Sequence, residues 1–399
     1  MIDLALPPEV EDLRLRTRGF IRNVVVPQEP APGQELSPKV RSQLQEAAKD
    51  AGVFAPHVSR DYGGIGLPLR YWSAIFQEIG YSLAGPQGLN CAAPDEGNMH
   101  LLSEVATAEQ KDKYLRPLAS GASRSCFAMT EPHPGAGSDP AMLATRVTRV
   151  DGGFLINGEK RFISGANGAA FAICMARDDG GDEGAPGGAT MFLVDMNNPG
   201  VQVGQHIPTI DRSVVGGHGH LEFHECFVRD SAVLGEVGKG FTYAQVRLGP
   251  ARLTHCMRWL GLARRALDIA VERASERQLF GSALADLGQV QAMIADSVID
   301  IETSDAIITK TAWLLETSPR EGGQLSSVAK VHVAEAVNRV VDRAIQICGG
   351  DGVSEDFRLT GFLNEVRPFR IYDGPSEVHR WAIARRTVRA AARQRGAPS

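Results

Sequence analysis

The sequence has no excess of positive charge. Across 399 residues, 42 lysines and arginines face 47 aspartates and glutamates, a formal net charge of −5. That balance excludes a nucleic-acid-binding surface. No apolar run approaches the ~18–20 residues of a membrane span. The opening Met1-Ile2-Asp3-Leu4-Ala5 lacks the basic and apolar blocks of a signal peptide. No membrane span and a cytoplasmic location are therefore expected. The six cysteines, Cys91, Cys126, Cys174, Cys226, Cys256 and Cys348, include no C-x-x-C pair, which excludes a thiol-clad zinc site and fits reduced thiols rather than disulfides. Nor does any G-x-G-x-x-G follow a strand and open a helix, so a nicotinamide-type dinucleotide fold has no support.

What is present is a core-forming composition, 43% hydrophobic, on a chain long enough for two or three compact units at roughly 100–200 residues each. Three territories follow one another. Residues 1–125 read as helical, with apolar residues three and four apart (Leu13, Phe20, Ile21, Val24; Val40, Leu44, Ala47, Ala48). Residues 126–235 change to short period-two runs such as Thr190-Met191-Phe192-Leu193-Val194, with Phe154 to Glu159 predicted as a strand entering a tight turn at Asn157-Gly158. Residues 236–399 return to helices, predicted over 252–280, 289–316, 328–348 and 376–393. The fold class expected is α+β multidomain: an N-terminal helical domain, a middle β-barrel or sandwich domain, and a C-terminal four-helix bundle. The acidic, glycine-rich stretch 178–188 is expected to be a mobile surface loop.

Gly235-Glu236-Val237-Gly238-Lys239-Gly240 resembles a phosphate loop only superficially, because Gly240 stands where Ser or Thr is needed; it reads as a domain-junction turn. His218, His220, Glu222, His224 and Cys226 share one parity, so an extended strand would present them on one face, with Leu221, Phe223 and Phe227 on the other. A solvated strand face is the favoured reading, and no metal is assigned, because spacing along one strand rarely encloses an ion. Cys126 to Pro132, leading into Gly135-Ala136-Gly137-Ser138-Asp139, lies at the border of the first two territories. Its glycines and hydroxyls suit close approach and orientation of a ligand.

That segment, with Lys160-Arg161-Phe162-Ile163-Ser164-Gly165-Ala166, Glu276 to Gly281, Ala344 to Gly352 and Tyr372-Asp373-Gly374-Pro375-Ser376-Glu377-Val378-His379-Arg380, resembles the acyl-CoA dehydrogenase family over nearly the whole chain. The Ala93 to Met99 stretch and the Asp-Gly-Pro form of the last motif are similar to a branch whose animal members act on longer-chain acyl-CoAs. The resemblance implies FAD, an acyl-CoA substrate, an electron-transfer flavoprotein as acceptor, and a homodimer or homotetramer. It implies cofactor contacts at Phe127, Met129, Thr130, Gly137, Ser138, Phe162, Ser164 and Glu377. Arg277 and Phe280 would reach the FAD of a neighbouring subunit, with Gln346, Gly349 and Gly350 on its adenine side. Ser138, Arg252, Tyr372 and Gly374 would contact substrate. Phe162 stands where the family often has Trp, Gly288 where Gln is frequent, and Pro375 where Thr is usual.

Dehydrogenation between Cα and Cβ of an acyl thioester needs a base for the α-proton, a hydride acceptor, and donors to the thioester oxygen. Flavin N5 takes the hydride because no side chain can. By the resemblance, Asp373 occupies the catalytic-base position, where most relatives carry Glu, and its backbone N–H and a ribityl hydroxyl would be the oxyanion donors. The alternative base position, just before Arg252-Leu253, holds Ala251. The reaction expected is oxidation to a trans-2-enoyl-CoA. A flavin oxidase or monooxygenase of the same fold, or a non-catalytic helical scaffold, are the competing readings.

Overall fold

The computed structural model describes residues 5–178 and 188–395. The loop expected at 178–188 therefore lies almost entirely outside the described residues. The principal helices are α1 (Pro8–Phe20), α2 (Pro38–Asp50), α3 (Trp72–Gly80), α4 (Asp95–Val105), α5 (Gly240–Glu276), α6 (Gly288–Thr317), α7 (Pro319–Cys348), α8 (Leu359–Val366) and α9 (Ser376–Gln394). Among the described residues no helix is long and apolar enough to cross a membrane. The chain divides into two compact units: residues 35–66 with 87–251, and residues 1–34 with 67–86 and 252–399.

The first of these is built on a seven-stranded sheet: β1 (Ser125–Ala128), β2 (Arg146–Val150), β3 (Gly153–Ser164), β4 (Phe171–Asp178), β5 (Ala189–Asp195), β6 (Val201–His206) and β7 (His218–Arg229). The order is β1-β4-β2-β3-β7-β6, with β5 also on β4. The apolar runs of β4 and β5 are buried almost throughout. Phe154, Ile156, Cys174, Phe192, Val194, Leu221, Phe223 and Cys226 form its core. α2 belongs to the same unit; Ser37 caps it by accepting from the Val40 N–H at 3.3 Å, and Pro38 opens it where its missing N–H costs nothing.

Two local expectations fail on this sheet. Asn157-Gly158 is not a turn, because β3 runs through it to Ser164. Opposite it, β7 carries a bulge: His224 and Glu225 lie between the partners of Gly158 and Ile156, where β3 has only Asn157. Glu225 takes φ +44° and donates its N–H to Asn157 Oδ1 at 2.7 Å. One extra residue inverts strand parity. Cys226 is consequently buried, while Phe227 is exposed, the reverse of the sequence expectation. His220 and His224 stay on the outer face, 3.7 Å and 3.0 Å from Glu222, whereas His218, expected on a solvated face with them, has a side chain only 12% exposed.

The second unit is helical. α6 packs along α7, and α8 and α9 pack on α7. α7 buries Ala329, Val333, Val337, Val340, Ala344 and Ile347 at helical spacing. α3 crosses α5 at backbone contact: a Cβ on Gly80 would lie 2.1 Å from Arg258 O, and one on Gly261 2.1 Å from Gln77 O. α5 begins twelve residues earlier than its predicted start at 252 and contains Pro250. It ends at Glu276, so Arg277 to Phe280 are not helical as expected; β8 (Gln278–Leu279) pairs with β9 (Ser282–Ala283) as a hairpin.

Candidate active site

In the helical unit, chemistry collects around the segment between Phe369 and α9. α9 starts after Pro375 with no side-chain cap, so the Asp373 carboxylate is not spent on capping. Asp373 and Gly374 take φ +54° and +99°. Only glycine fits the second position, since a Cβ there would lie 2.6 Å from His379 Nε2. Three donors from three helices hold this left-handed turn by its carbonyls. Arg252 Nε donates to Asp373 O at 2.9 Å, His379 Nε2 to the same oxygen at 3.1 Å, and Lys330 Nζ to Gly374 O at 2.6 Å. The Asp373 side chain is left for other work. Its Oδ2 is buried, has no hydrogen-bond partner among the described residues, and lies 3.5 Å from His255 Nε2. Arg258 Nη2 donates to His255 Nδ1 at 3.1 Å, which assigns the His255 proton to Nε2, facing the carboxylate. Phe369, Tyr372 and His255 pack ring against ring, and Trp259 Nε1 donates to the Tyr372 hydroxyl at 2.6 Å.

Burial dominates the electrostatics here. It pushes His379 down to about 4, with the Arg252 cation adding to the shift, so this ring is neutral near pH 7 and acts as a plain N–H donor. Burial likewise brings Arg252 below its ordinary value and Lys330 down to about 8, opposed by the Asp373 charge. Lys330 is fully buried, with Nζ 5.1 Å from the Phe369 ring centroid. A lysine lowered on folding holds its proton more weakly in the native state. Its penalty is present below about 8 and is relieved as pH rises toward the ordinary lysine value of 10.5. Wild type should therefore gain up to about 3 kcal/mol relative to Lys330→Met between those limits, checked by denaturant melts of both proteins at the two pH values.

In the sheet unit, a second constellation surrounds the end of β1 and the bulged end of β3. Glu131 anchors the loop that follows β1. Its carboxylate accepts from the N–H groups of Ala136 (2.9 Å), Ala144 (2.6 Å) and Thr145 (2.9 Å) and from Lys160 Nζ (2.8 Å). Thr130 is tied to Arg161 in both directions: the Arg161 N–H donates to Thr130 O at 2.9 Å, and Thr130 Oγ1 donates to Arg161 O at 2.6 Å. Phe162 sits at φ +59°, half-exposed, where β3 slips register between Arg161 and Ile163. Ser164 Oγ lies 3.0 Å from His218 Nδ1. Phe127 lies under the Arg247 guanidinium, 4.1 Å from its ring centroid. Gly137 and Ser138 are exposed, and nothing lies within 4 Å of a Cβ built on Gly137.

Family models match almost the entire chain: acyl-CoA dehydrogenase N-terminal domain over residues 7–122, middle domain over 126–226, and C-terminal domain over 238–388. The chain belongs to the acyl-CoA dehydrogenase family. Among similar proteins, the "Probable acyl-CoA dehydrogenase FadE2" of Mycobacterium tuberculosis is 36% identical over 397 residues, covering 96% of both chains. Acyl-CoA dehydrogenase family member 11 of Homo sapiens is 38% identical over 361 residues; the match covers 88% of this chain and 45% of that longer protein. A solved structure from Mycobacterium abscessus, described as an acyl-CoA dehydrogenase, superposes with TM-score 0.90 at 33% identity, covering 98% of this chain and 100% of that one.

The remaining positions singled out by the family resemblance are on exposed ground. Phe280, 94% exposed at φ +51°, caps the β8–β9 hairpin beside exposed Arg277. Gln346, Gly349 and Gly350 are exposed at the end of α7, and Glu377 is exposed in the first turn of α9. The structure brings Arg252, Tyr372, Asp373 and Gly374 together. It also reveals residues to which sequence reasoning gave no role: His255, Trp259, Lys330 and His379 around Asp373, and Glu131, Lys160 and Asp211 in the sheet unit; His218, read as part of a solvated strand face, is instead paired with Ser164 and Asp211. Lys330 had a readable signal, a lone cation on the stripe of Val333, Ala334 and Val337. His255 lay one helical turn beyond Arg252, a spacing that places the two on one face.

Proposed function

We propose that this oxidoreductase is an FAD-dependent dehydrogenase converting an acyl-CoA thioester to the trans-2-enoyl-CoA, with Asp373 as general base. The observation that carries the reading is the Asp373 carboxylate itself: fixed through its backbone by Arg252 and His379, uncommitted at Oδ2, and faced by a single N–H from His255. A base must reach its proton at about 2.6–3.2 Å, and a shorter acid depends on the turn that carries it. The turn pinned by Lys330 supplies that rigidity. The Asp373 N–H is the proposed donor to the thioester oxygen, with Tyr372, Gly374 and Arg252 lining the substrate.

The sheet unit fits a flavin by the chemistry of its groups. It offers an exposed aromatic face at Phe162, hydroxyls at Thr130, Ser138 and Ser164, and open ground at Gly137. A ring that carries both carbonyls and an N–H needs this mixture. Phe127, Met129, Thr130, Gly137, Ser138, Phe162 and Ser164 of this unit would hold FAD, which when bound supplies a hydride acceptor at N5. We assign Arg277, Phe280, Gln346, Gly349 and Gly350 to the cofactor of a second copy, which makes the working protein a homo-oligomer. Phe280 supports this, since so exposed an aromatic at a hairpin tip suits a partner. Electron-transfer flavoprotein is the proposed acceptor.

Anaerobic mixing of the FAD-loaded protein with a panel of acyl-CoAs of increasing chain length tests the proposal. Loss of oxidised-flavin absorbance with at least one thioester is expected; no loss with any of them would overturn it.

A further inference from the structure

His255 stands beside the proposed base with no part yet in the reaction. It lies on α5 three residues after Arg252, so one face of that helix addresses Asp373 twice. Arg252 Nε donates to the backbone oxygen at 2.9 Å, and His255 Nε2 faces the side-chain oxygen Oδ2 from 3.5 Å, slightly beyond hydrogen-bond length. The other donors around the turn are engaged with its carbonyls, His379 Nε2 with Asp373 O and Lys330 Nζ with Gly374 O. The Asp373 side chain is 18% exposed while Oδ2 is buried, which leaves Oδ1 as the oxygen open to a substrate.

The imidazole is held on three sides. The rings of Phe369 and Tyr372 flank it, with centroids 5.8 Å and 4.9 Å away, and the Tyr372 hydroxyl is itself fixed by Trp259 Nε1 at 2.6 Å. On the third side Arg258 Nη2 lies 3.1 Å from Nδ1. A guanidinium only donates, so Nδ1 is the lone pair and the ring carries its single proton on Nε2. Arg258 thereby aims an N–H, and not a second lone pair, at the carboxylate.

We propose that His255 is a positioning residue for Asp373, its Nε2–H keeping Oδ2 on the inner side so that Oδ1 meets the α-proton. The proposal rests on the reading of Asp373 as the general base. When the α C–H bond breaks, the new O–H bond forms at Oδ1, and Oδ2 stays an acceptor facing the same N–H. The ring therefore neither gives nor takes a proton. Its contribution is orientation: the carboxylate turns about two torsions, and a polar N–H on one side favours one arrangement over the rest.

Anaerobic stopped-flow reduction of the FAD-loaded protein, by the acyl-CoA that bleaches the wild-type flavin fastest, reads the limiting rate and the half-saturating concentration separately. His255→Phe keeps a ring between Phe369 and Tyr372 and removes the N–H. It is expected to lower the limiting rate about tenfold, the scale of one hydrogen bond, with half-saturation little changed. His255→Gln loses the ring but places an amide N–H near the site of Nε2, and should recover most of that loss. In an Asp373→Asn background His255→Phe should change the residual rate by less than about twofold, since the effect passes through the carboxylate. Should His255→Phe not fold because Arg258 loses its acceptor, His255→Asn is read instead. Its amide oxygen replaces Nδ1 for Arg258 while its chain is too short to face Oδ2, and the same loss of rate is expected. His255→Phe as fast as wild type beside a slowed His255→Gln would make the residue a packing element, and an equal loss in both Asp373 backgrounds would mean that it acts elsewhere. Either result overturns the proposal while leaving the dehydrogenase reading intact. A wild-type flavin that no acyl-CoA reduces overturns both.

Discussion

Asp373→Asn is expected to leave a folded, FAD-containing protein whose flavin is reduced by acyl-CoA roughly a thousandfold more slowly, in the middle of the range that a general base contributes. The substitution is clean for a structural reason. Residue 373 sits at φ +54°, where Asn is among the best-tolerated side chains. Arg252 and His379 bind the backbone oxygen, which the change does not touch. His255 Nε2 faces the amide at the place where it faces Oδ2, 3.5 Å away. Only proton acceptance is removed, so an unchanged thermal midpoint beside a collapsed rate is the signature. Stopped-flow reduction under anaerobic conditions measures it. Asp373→Glu restores an acid one methylene longer, and its rate should fall between those of wild type and Asn. If Asp373→Asn reduces its flavin at the wild-type rate, the base lies elsewhere.

Periodicity made the helix, sheet, helix order legible, and the short run Thr190 to Val194 marked β5. It missed where packing overrides local preference. The helix was expected to start at 252, yet α5 runs through Gly249 and Pro250 from Gly240. The end of α5 was overestimated because Arg277 to Phe280 continue a plausible pattern, whereas the hairpin depends on Leu284 donating its N–H back to Arg277 O at 2.7 Å. The Cys226 face was lost to a bulge whose only sequence trace is Asn157 across the ladder. Among the site residues, Asp373 was legible through its motif. Of the donors to its turn, Arg252 was named through the family resemblance; Lys330 showed only as a cation on an apolar stripe, and nothing in the sequence ties it or His379 to backbone oxygens 43 and six residues away. Single side chains that serve a carbonyl leave no spacing to read.

Lys160→Met is expected to cost about 3–5 kcal/mol of stability, the largest penalty foreseen for a residue away from the proposed base. Lys160 and Glu131 are 0% and 1% exposed at their side chains, 2.8 Å apart. Removing the lysine strands a carboxylate that cannot be rehydrated. Nor can Glu131 withdraw, because the three backbone N–H groups of Ala136, Ala144 and Thr145 converge on it, and Gly135 passes so close that a Cβ there would lie 2.4 Å from Oε2. The loop so anchored carries Met129, Thr130, Gly137 and Ser138, and FAD retention on gel filtration should therefore fall with stability. The pH dependence has a definite sign. Burial would raise Glu131, but the Lys160 charge and these donors outweigh it and hold it at about 2. A depressed carboxyl stabilises the fold above the ordinary glutamate value of 4.5, and that contribution is lost as pH falls toward 2. The stability difference between wild type and Lys160→Met should accordingly be full at neutral pH and shrink by more than half at about pH 3. Denaturant melts of both proteins at the two pH values read it directly. A difference independent of pH would mean that the pair acts through packing rather than charge.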